Sequence, residues 1–233
     1  TGFPPYPGAF AEYIAAPLHN VYPMPDSIPD DAGPLLETLA VTLHALDILG
    51  DLRGQTCAVL GAGAVGLLMT LTLQWHGAEV IAITEPVKER REAAHRLSGV
   101  TALHSDDPEG IREQIRKTTG YGPDLIFETA GQPESYQAAL ELTRPGGRVC
   151  IIGIYPQGAM PVDFTAARRK ELTVHLLRRS LPHNYPDAIR LAAEGKIDLA
   201  PLATHCYPLD RIGEAFQTAE HKTGGVLKAL LQP

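Results

Sequence analysis

Three glycines, Gly61, Gly63 and Gly66, punctuate the stretch LGAGAVG between a β-branched run and a long amphipathic one. Each has its own task in that setting. Gly61 permits a tight turn, Gly63 lets bare main chain approach a diphosphate, and Gly66 lets the following helix lie close against a sheet. Together with Ala64 and Val65 they would open a helix whose unpaired N–H groups and positive dipole end meet phosphate oxygens. The chemistry expected is dinucleotide binding, because the G-x-G-x-x-G pattern stands between a strand candidate and a helix candidate rather than alone. Glu85 ends the next β-branched run, 19 residues past Gly66, close to the spacing of about 20 expected of an acid that takes the adenosine ribose diol. A carboxylate there repels a 2′-phosphate and favours NAD over NADP. Arg90, five residues further on, weighs the other way, since a guanidinium tolerates that phosphate. The competing readings are a glycine-rich structural turn and a solvated loop acid at position 85.

The elements that must position these residues follow from hydrophobic period. Short β-branched runs, TCAVL (56–60), EVIAIT (79–84), TALH (101–104), DLIFE (124–128) and RVCIIGI (148–154), alternate with amphipathic segments. Five such units joined by helices predict an α/β fold, a doubly wound parallel sheet covered on both faces. ELTVHLL (171–177) would be a sixth strand. Residues 1–33 are proline-rich, with only short extended pieces before a helix, PLLETLAVTLHALDIL. That helix carries one acid, Glu37, near its start, where a carboxylate gains up to about 1 kcal/mol from the helix dipole. After Arg179 come a helix (NYPDAIRLAAEGK), an extended piece (ATHCYPL), a helix expected to be capped by Asp210, and a last strand, GVLKALLQ.

Bulk properties narrow the class. The 233 residues are 44% hydrophobic, enough for a substantial core, and a net charge of −7 opposes the basic field that nucleic acids and anionic membranes attract. The apolar run 57–73 changes period and holds three glycines, so it reads as strand, turn and helix rather than a bilayer span. No leader pattern opens the sequence, and Cys57, Cys150 and Cys206 lie far apart without a C-x-x-C pair. The expectation is a cytoplasmic protein whose Cys57 and Cys150 serve as small buried hydrophobes.

GAFAEYIAAP (8–17), LLETLAVTLHAL (35–46), GQTCAVLGAGAVGLL (54–68), FETAG (127–131), TRPGGRVCIIG (143–153) and GKIDLAPLATHCYPLDRIGEAF (195–216), in this order, resemble the zinc-type medium-chain dehydrogenase/reductase family. The form ETLAVTLHA is similar to the polyol and sorbitol dehydrogenase branch, which usually has proline where Thr38 stands. The resemblance implies a Rossmann domain over 38–179, flanked by parts of a discontinuous GroES-like catalytic domain at 1–37 and 180–233. It implies an NAD-dependent oxidoreductase that passes hydride between a secondary alcohol or polyol and the cofactor, and a homo-oligomer, dimer or tetramer, with RVCIIGI and ELTVHLL near the dimer contact. It places Thr129, Ala130 and Gly131 along the nicotinamide half, Ile152, Gly153 and Ile154 along its carboxamide, Arg178 near cofactor and substrate, and Glu37 at a catalytic zinc. His44 lies seven residues from Glu37 on a similar helix face, where a histidine is more often a core residue. The family's zinc-ligand cysteine, Gly-His-Glu motif and four-cysteine lobe have no counterpart in these residues. Zinc in this chain is accordingly doubtful, and two further readings stand beside the first: a non-catalytic nucleotide-binding or assembly module, and a zinc-free NADPH-linked reductase, which Glu37 and Glu85 disfavour. Flanking pieces without their barrel would leave apolar surface bare, so the chain is expected to associate or to be unstable.

Overall fold

The computed structural model describes residues 8–156 and 158–233. Six parallel strands form one sheet: β1 (Thr56–Leu60), β2 (Glu79–Thr84), β3 (Ala102–Leu103), β4 (Leu125–Glu128), β5 (Arg148–Ile151) and β6 (Thr173–Leu176), in the order β3-β2-β1-β4-β5-β6. Between them run α1 (Leu35–Leu49), ahead of the sheet, then α2 (Ala64–His76), α3 (Lys88–Ser98), α4 (Pro108–Thr119), α5 (Pro133–Leu142) and α6 (Thr165–Arg169). α7 (Asn184–Ala193) follows, and β7 (Ala203–Pro208) and β8 (Lys228–Gln232) make a separate parallel pair joined through α8 (Ile212–His221).

Alternation along each strand explains the two layers. Cys57 and Val59 of β1, Leu125 and Phe127 of β4 and Cys150 of β5 face one core, shared with α1, α2, α3 and α7. Their neighbours Ala58, Leu60, Ile126 and Val149 face the other core, built with Ile111 and Ile115 of α4, Ala139 and Leu140 of α5 and Ala167 of α6. Strands buried on both faces need no polar alternation, which is why they read as continuous apolar runs. Each fully buried leucine contributes roughly 1.5–3 kcal/mol relative to exposure, so Leu35, Leu39, Leu67, Leu68 and Leu73 make α1 and α2 the heaviest part of the first core. Burial pushes the Cys57 and Cys150 thiols up to about 12, as expected of small hydrophobes rather than reactive groups.

The structure departs from the sequence expectation in several places. The third strand keeps two residues of TALH, and DLIFE loses Asp124, whose carboxylate instead accepts the Thr56 N–H and hydroxyl, each at 2.8 Å. Asp210 does not cap a helix: it lies in a 3-10 turn, Leu209–Arg211, and α8 begins only at Ile212, with Arg211 paired to Glu214. The short α6 went unread because five residues carry too little periodicity. Ile28, Ala32, Leu191, Ile197, Leu199 and Leu202 also join the first core.

Candidate functional site

The glycine turn sits at the carboxyl ends of β1 and β4. Gly61 takes φ 106°, a value that only glycine adopts freely, and its N–H donates to the Thr84 oxygen at 2.8 Å. A Cβ on Gly66 would stand 1.9 Å from the Gly61 oxygen, so α2 can lie this close only without one. Around Gly63 the space is open: a Cβ there meets nothing nearer than the Arg90 Nη1, at 3.8 Å. Gly63 is the N-cap of α2 and no side chain caps that end, which leaves the first-turn amides to an outside acceptor.

Glu85 follows β2 and is only 3% exposed. Its Oε2 accepts the Ala62 N–H at 2.9 Å, inside the glycine turn, and its Oε1 accepts the Val87 N–H at 3.1 Å. The sequence spacing thus brings the acid to the turn. Arg90, half-buried at the start of α3, gives both Nε (2.9 Å) and Nη2 to the Val226 oxygen, fastening the C-terminal segment to this edge of the fold. Burial disfavours the charged guanidinium and Glu85 opposes that effect. A cavity of about 370 Å³ runs over these groups, with Gly61, Gly63, Glu85, Arg90 and Thr129 in its wall and Lys222, from the C-terminal segment, at its rim.

On the other side of the turn, Thr129 donates both its N–H and its hydroxyl to the Leu60 oxygen, each at 2.9 Å, tying β4 to β1. Ala130 lines the cavity beside it, and Gly131 (φ 68°) passes so close to Ile154 that a Cβ would fall 2.5 Å from the Ile154 oxygen. Ile152 and Gly153 are half-buried, and Ile154 is 86% exposed. Arg178 lies just beyond β6, exposed and outside the cavity wall.

Two groups escaped the sequence reading. Glu128, the last residue of β4, is fully buried, and its Oε1 accepts the N–H groups of Ala130 and Gly131 and the Ser135 hydroxyl. An acid closing an otherwise apolar strand was the available signal, since a buried carboxyl must find partners. Lys222, at φ 55°, gave no signal, because nothing in its neighbourhood points back to a turn 160 residues earlier.

Glu37 is exposed in the first turn of α1, beside the positive end of the helix dipole. Among the described residues, no group of three or more His, Cys, Asp or Glu side chains is placed to hold a metal ion. The residues described do not fit a zinc site by themselves. His44 lies instead at the seam with α7, 4.0 Å from Asp47. No helix among the described residues is long and apolar enough to cross a membrane.

Residues 64–194 match the family model for zinc-binding dehydrogenases. L-threonine 3-dehydrogenase of Pyrococcus abyssi is 33% identical over 94% of this chain, and sorbitol dehydrogenase of Bacillus subtilis 30% identical over 99%. The chain spans 64% and 65% of the length of these two relatives. A protein of Sinorhizobium meliloti 1021, assigned as a zinc-binding dehydrogenase and solved bound to NADP, superposes with a TM-score of 0.82 at 26% identity, covering 97% of this chain and 66% of that one.

Proposed function

The chain belongs to the zinc-binding dehydrogenase family, and from that premise we propose that it is the cofactor-bearing part of an NAD-dependent alcohol or polyol dehydrogenase. One observation carries the reading: the buried Glu85 carboxylate, held by the Ala62 N–H of the glycine turn, beside the open approach at Gly63. The turn and Glu85 fit a dinucleotide in chemistry as well as in space. The amides of Ala64 and Val65 would receive its diphosphate, and the free lone pairs of Glu85 would accept from the adenosine ribose hydroxyls.

NAD is the favoured form. The Arg90 fork is occupied by the Val226 oxygen, and its Nη1 faces Gly63, which directs the guanidinium at the diphosphate side rather than at a 2′-phosphate.

A nicotinamide, when bound, supplies the hydride donor or acceptor. This chain's share is placement. Thr129, Ala130 and Gly131 and the loop Ile152–Ile154 would hold the nicotinamide half, and Arg178 would reach the substrate side. Orientation of that kind supplies much of the rate of a hydride transfer. Glu37 stays a candidate metal ligand, for an ion whose other ligands lie outside the described residues. The substrate class is a small alcohol or polyol, and the setting is cytoplasmic, in keeping with the free thiols of Cys57, Cys150 and Cys206. The assembly is a homo-oligomer, dimer or tetramer, joined near β5 and β6.

The test is titration with NADH and NADPH. Trp75 sits at the far end of α2, about 17 Å along the axis from the turn by helical rise, so the emission of the reduced cofactor is the readout. Tighter NADH binding is expected; NADPH binding as tight or tighter would overturn the role of Glu85. A second reading, binding without turnover, is favoured by the lack of a metal-ligand set among the described residues. Assays with sorbitol, threonine and simple alcohols, with and without zinc, separate the two.

A further inference from the structure

Glu128 is the most thoroughly enclosed acid of the fold. It is 0% exposed, and its Oε1 gathers three donors from the segment after β4: the Ala130 N–H at 2.9 Å, the Gly131 N–H at 2.8 Å and the Ser135 hydroxyl at 2.6 Å. Its main-chain oxygen gathers two more from the segment after β5, the N–H groups of Ile152 at 2.8 Å and Gly153 at 3.0 Å. The Tyr136 hydroxyl closes the circle by donating to the Gly153 oxygen at 2.6 Å. The packing leaves no slack, since a Cβ on Gly153 would stand 2.4 Å from both the Glu128 Oε2 and the Gly131 nitrogen.

The remaining oxygen, Oε2, is buried and meets no hydrogen-bond donor among the described residues. The hydrogen bonds that join the carboxyl to the segment after β4 therefore all run through Oε1. Burial raises the pKa of the group, against the opposing hydrogen bonds from the Ser135 hydroxyl and the Gly131 and Ala130 N–H groups.

We propose that Glu128 is a positioning residue for the nicotinamide half of the cofactor: through Oε1 and its main-chain oxygen it locks the segment 129–131 against the segment 152–154. The inference rests on the dinucleotide reading above and adds a division of labour to it. The adenosine and diphosphate contacts are fixed by other bonds, the Glu85 carboxylate on the Ala62 N–H and the Gly61 N–H on the Thr84 oxygen. Loosening Glu128 should therefore spare them.

The division is measurable with two ligands on the 233-residue chain: ADP, which fills only the adenosine and diphosphate half, and NADH, which fills both. E128A should weaken NADH by about tenfold or more, the equivalent of one lost well-formed contact, and leave ADP within about twofold of wild type. E128Q keeps the acceptor oxygen and should bind NADH like wild type. G153A, whose Cβ would press on both the Glu128 Oε2 and the Gly131 nitrogen and so wedge the two segments apart with the Glu128 carboxyl still present, should repeat the E128A pattern and covers the case in which E128A does not fold. Loss of ADP and NADH together in the folded variants would mean a merely structural role and overturn the inference, as would E128A binding both like wild type. E128Q binding NADH as poorly as E128A would show that the acceptor oxygen does not hold the two segments, and would overturn the inference as well. A wild-type chain that binds neither ligand would instead bring down the dinucleotide reading itself, and this inference with it.

Discussion

At the scale of single residues, the two buried acids at the strand ends behave differently because their partners differ. Glu85 has an N–H donor for each oxygen, from Ala62 and from Val87. Replacing it with alanine strands both amides, at a cost of about 1–3 kcal/mol for each buried group left unpaired. E85A should therefore unfold at lower temperature and lose its discrimination against NADPH, which parallel melting curves and titrations would reveal; unchanged discrimination would remove Glu85 from the ribose. Glu128 makes a prediction about pH. Its native pKa is raised by burial, so its stabilising contribution is complete below the unfolded value of about 4.3 and is lost as pH rises through the native one. Glutamine does not titrate. The melting temperature of E128Q relative to wild type should then climb as pH rises above the unfolded value of about 4.3, and a flat difference would show that the carboxyl is ionised without penalty. Of these acids, Glu85 was legible from spacing alone, because a strand and a turn fix how far an acid can lie from a glycine. Glu128 was hidden inside FETAG, where an acid ending a strand looks like a solvated one until its 0% exposure is seen.

Elements were legible wherever period and length agreed. The runs at β1 and β2 appear with the bounds read for them, since β-branched residues flanked by glycine leave little choice. β3 kept two residues because it pairs on one side only, at the sheet edge, where little holds a strand together. What the period could not show was how the flanking helices dock. α7 packs on α1, and the contact turns on Asn184, 1% exposed: its Nδ2 donates to the Asp47 Oδ2 at 2.7 Å and its Oδ1 accepts the Leu181 N–H at 2.8 Å. Burial works to raise the Asp47 pKa, but Asn184 and His183 together outweigh it and hold the carboxylate below its ordinary range. N184A removes both hydrogen bonds, one of them to the Asp47 carboxylate, so it should cost about 1–3 kcal/mol in denaturant unfolding. The loss should be felt in the stability of the whole first core, because Leu191 and Ala188 of α7 belong to it. An unaltered midpoint would mean that α7 is only loosely applied to α1.

The whole molecule has a conspicuous imbalance between its well-enclosed centre and its margins. Phe10, Tyr13, Leu18 and Phe216 stand 57–91% exposed on one margin, where the N-terminal segment leans on α8 through an edge-to-face contact of Phe10 with Phe216 at 5.8 Å. On another margin, Leu176 is 77% and Ile154 86% exposed around β6, which among the described residues pairs only with β5 and leaves its other edge open. The opposite edge, β3, is too short to template pairing. Apolar surface in contiguous patches drives association, and a free parallel edge can meet its own copy across a two-fold axis. The chain should therefore scatter light as a concentration-dependent oligomer. Two variants tell the margins apart: Leu176→Lys places a charge against the β6 edge, and Tyr13→Asp with Leu18→Asp does the same to the N-terminal margin. If the β6 edge is the seat, the first variant alone yields monomer. If the second does so instead, the chain associates through its N-terminal margin. A wild-type chain that stays monomeric at high concentration and melts cooperatively at high temperature would mean that neither margin is sticky, and the exposed aromatic residues would then need no partner at all.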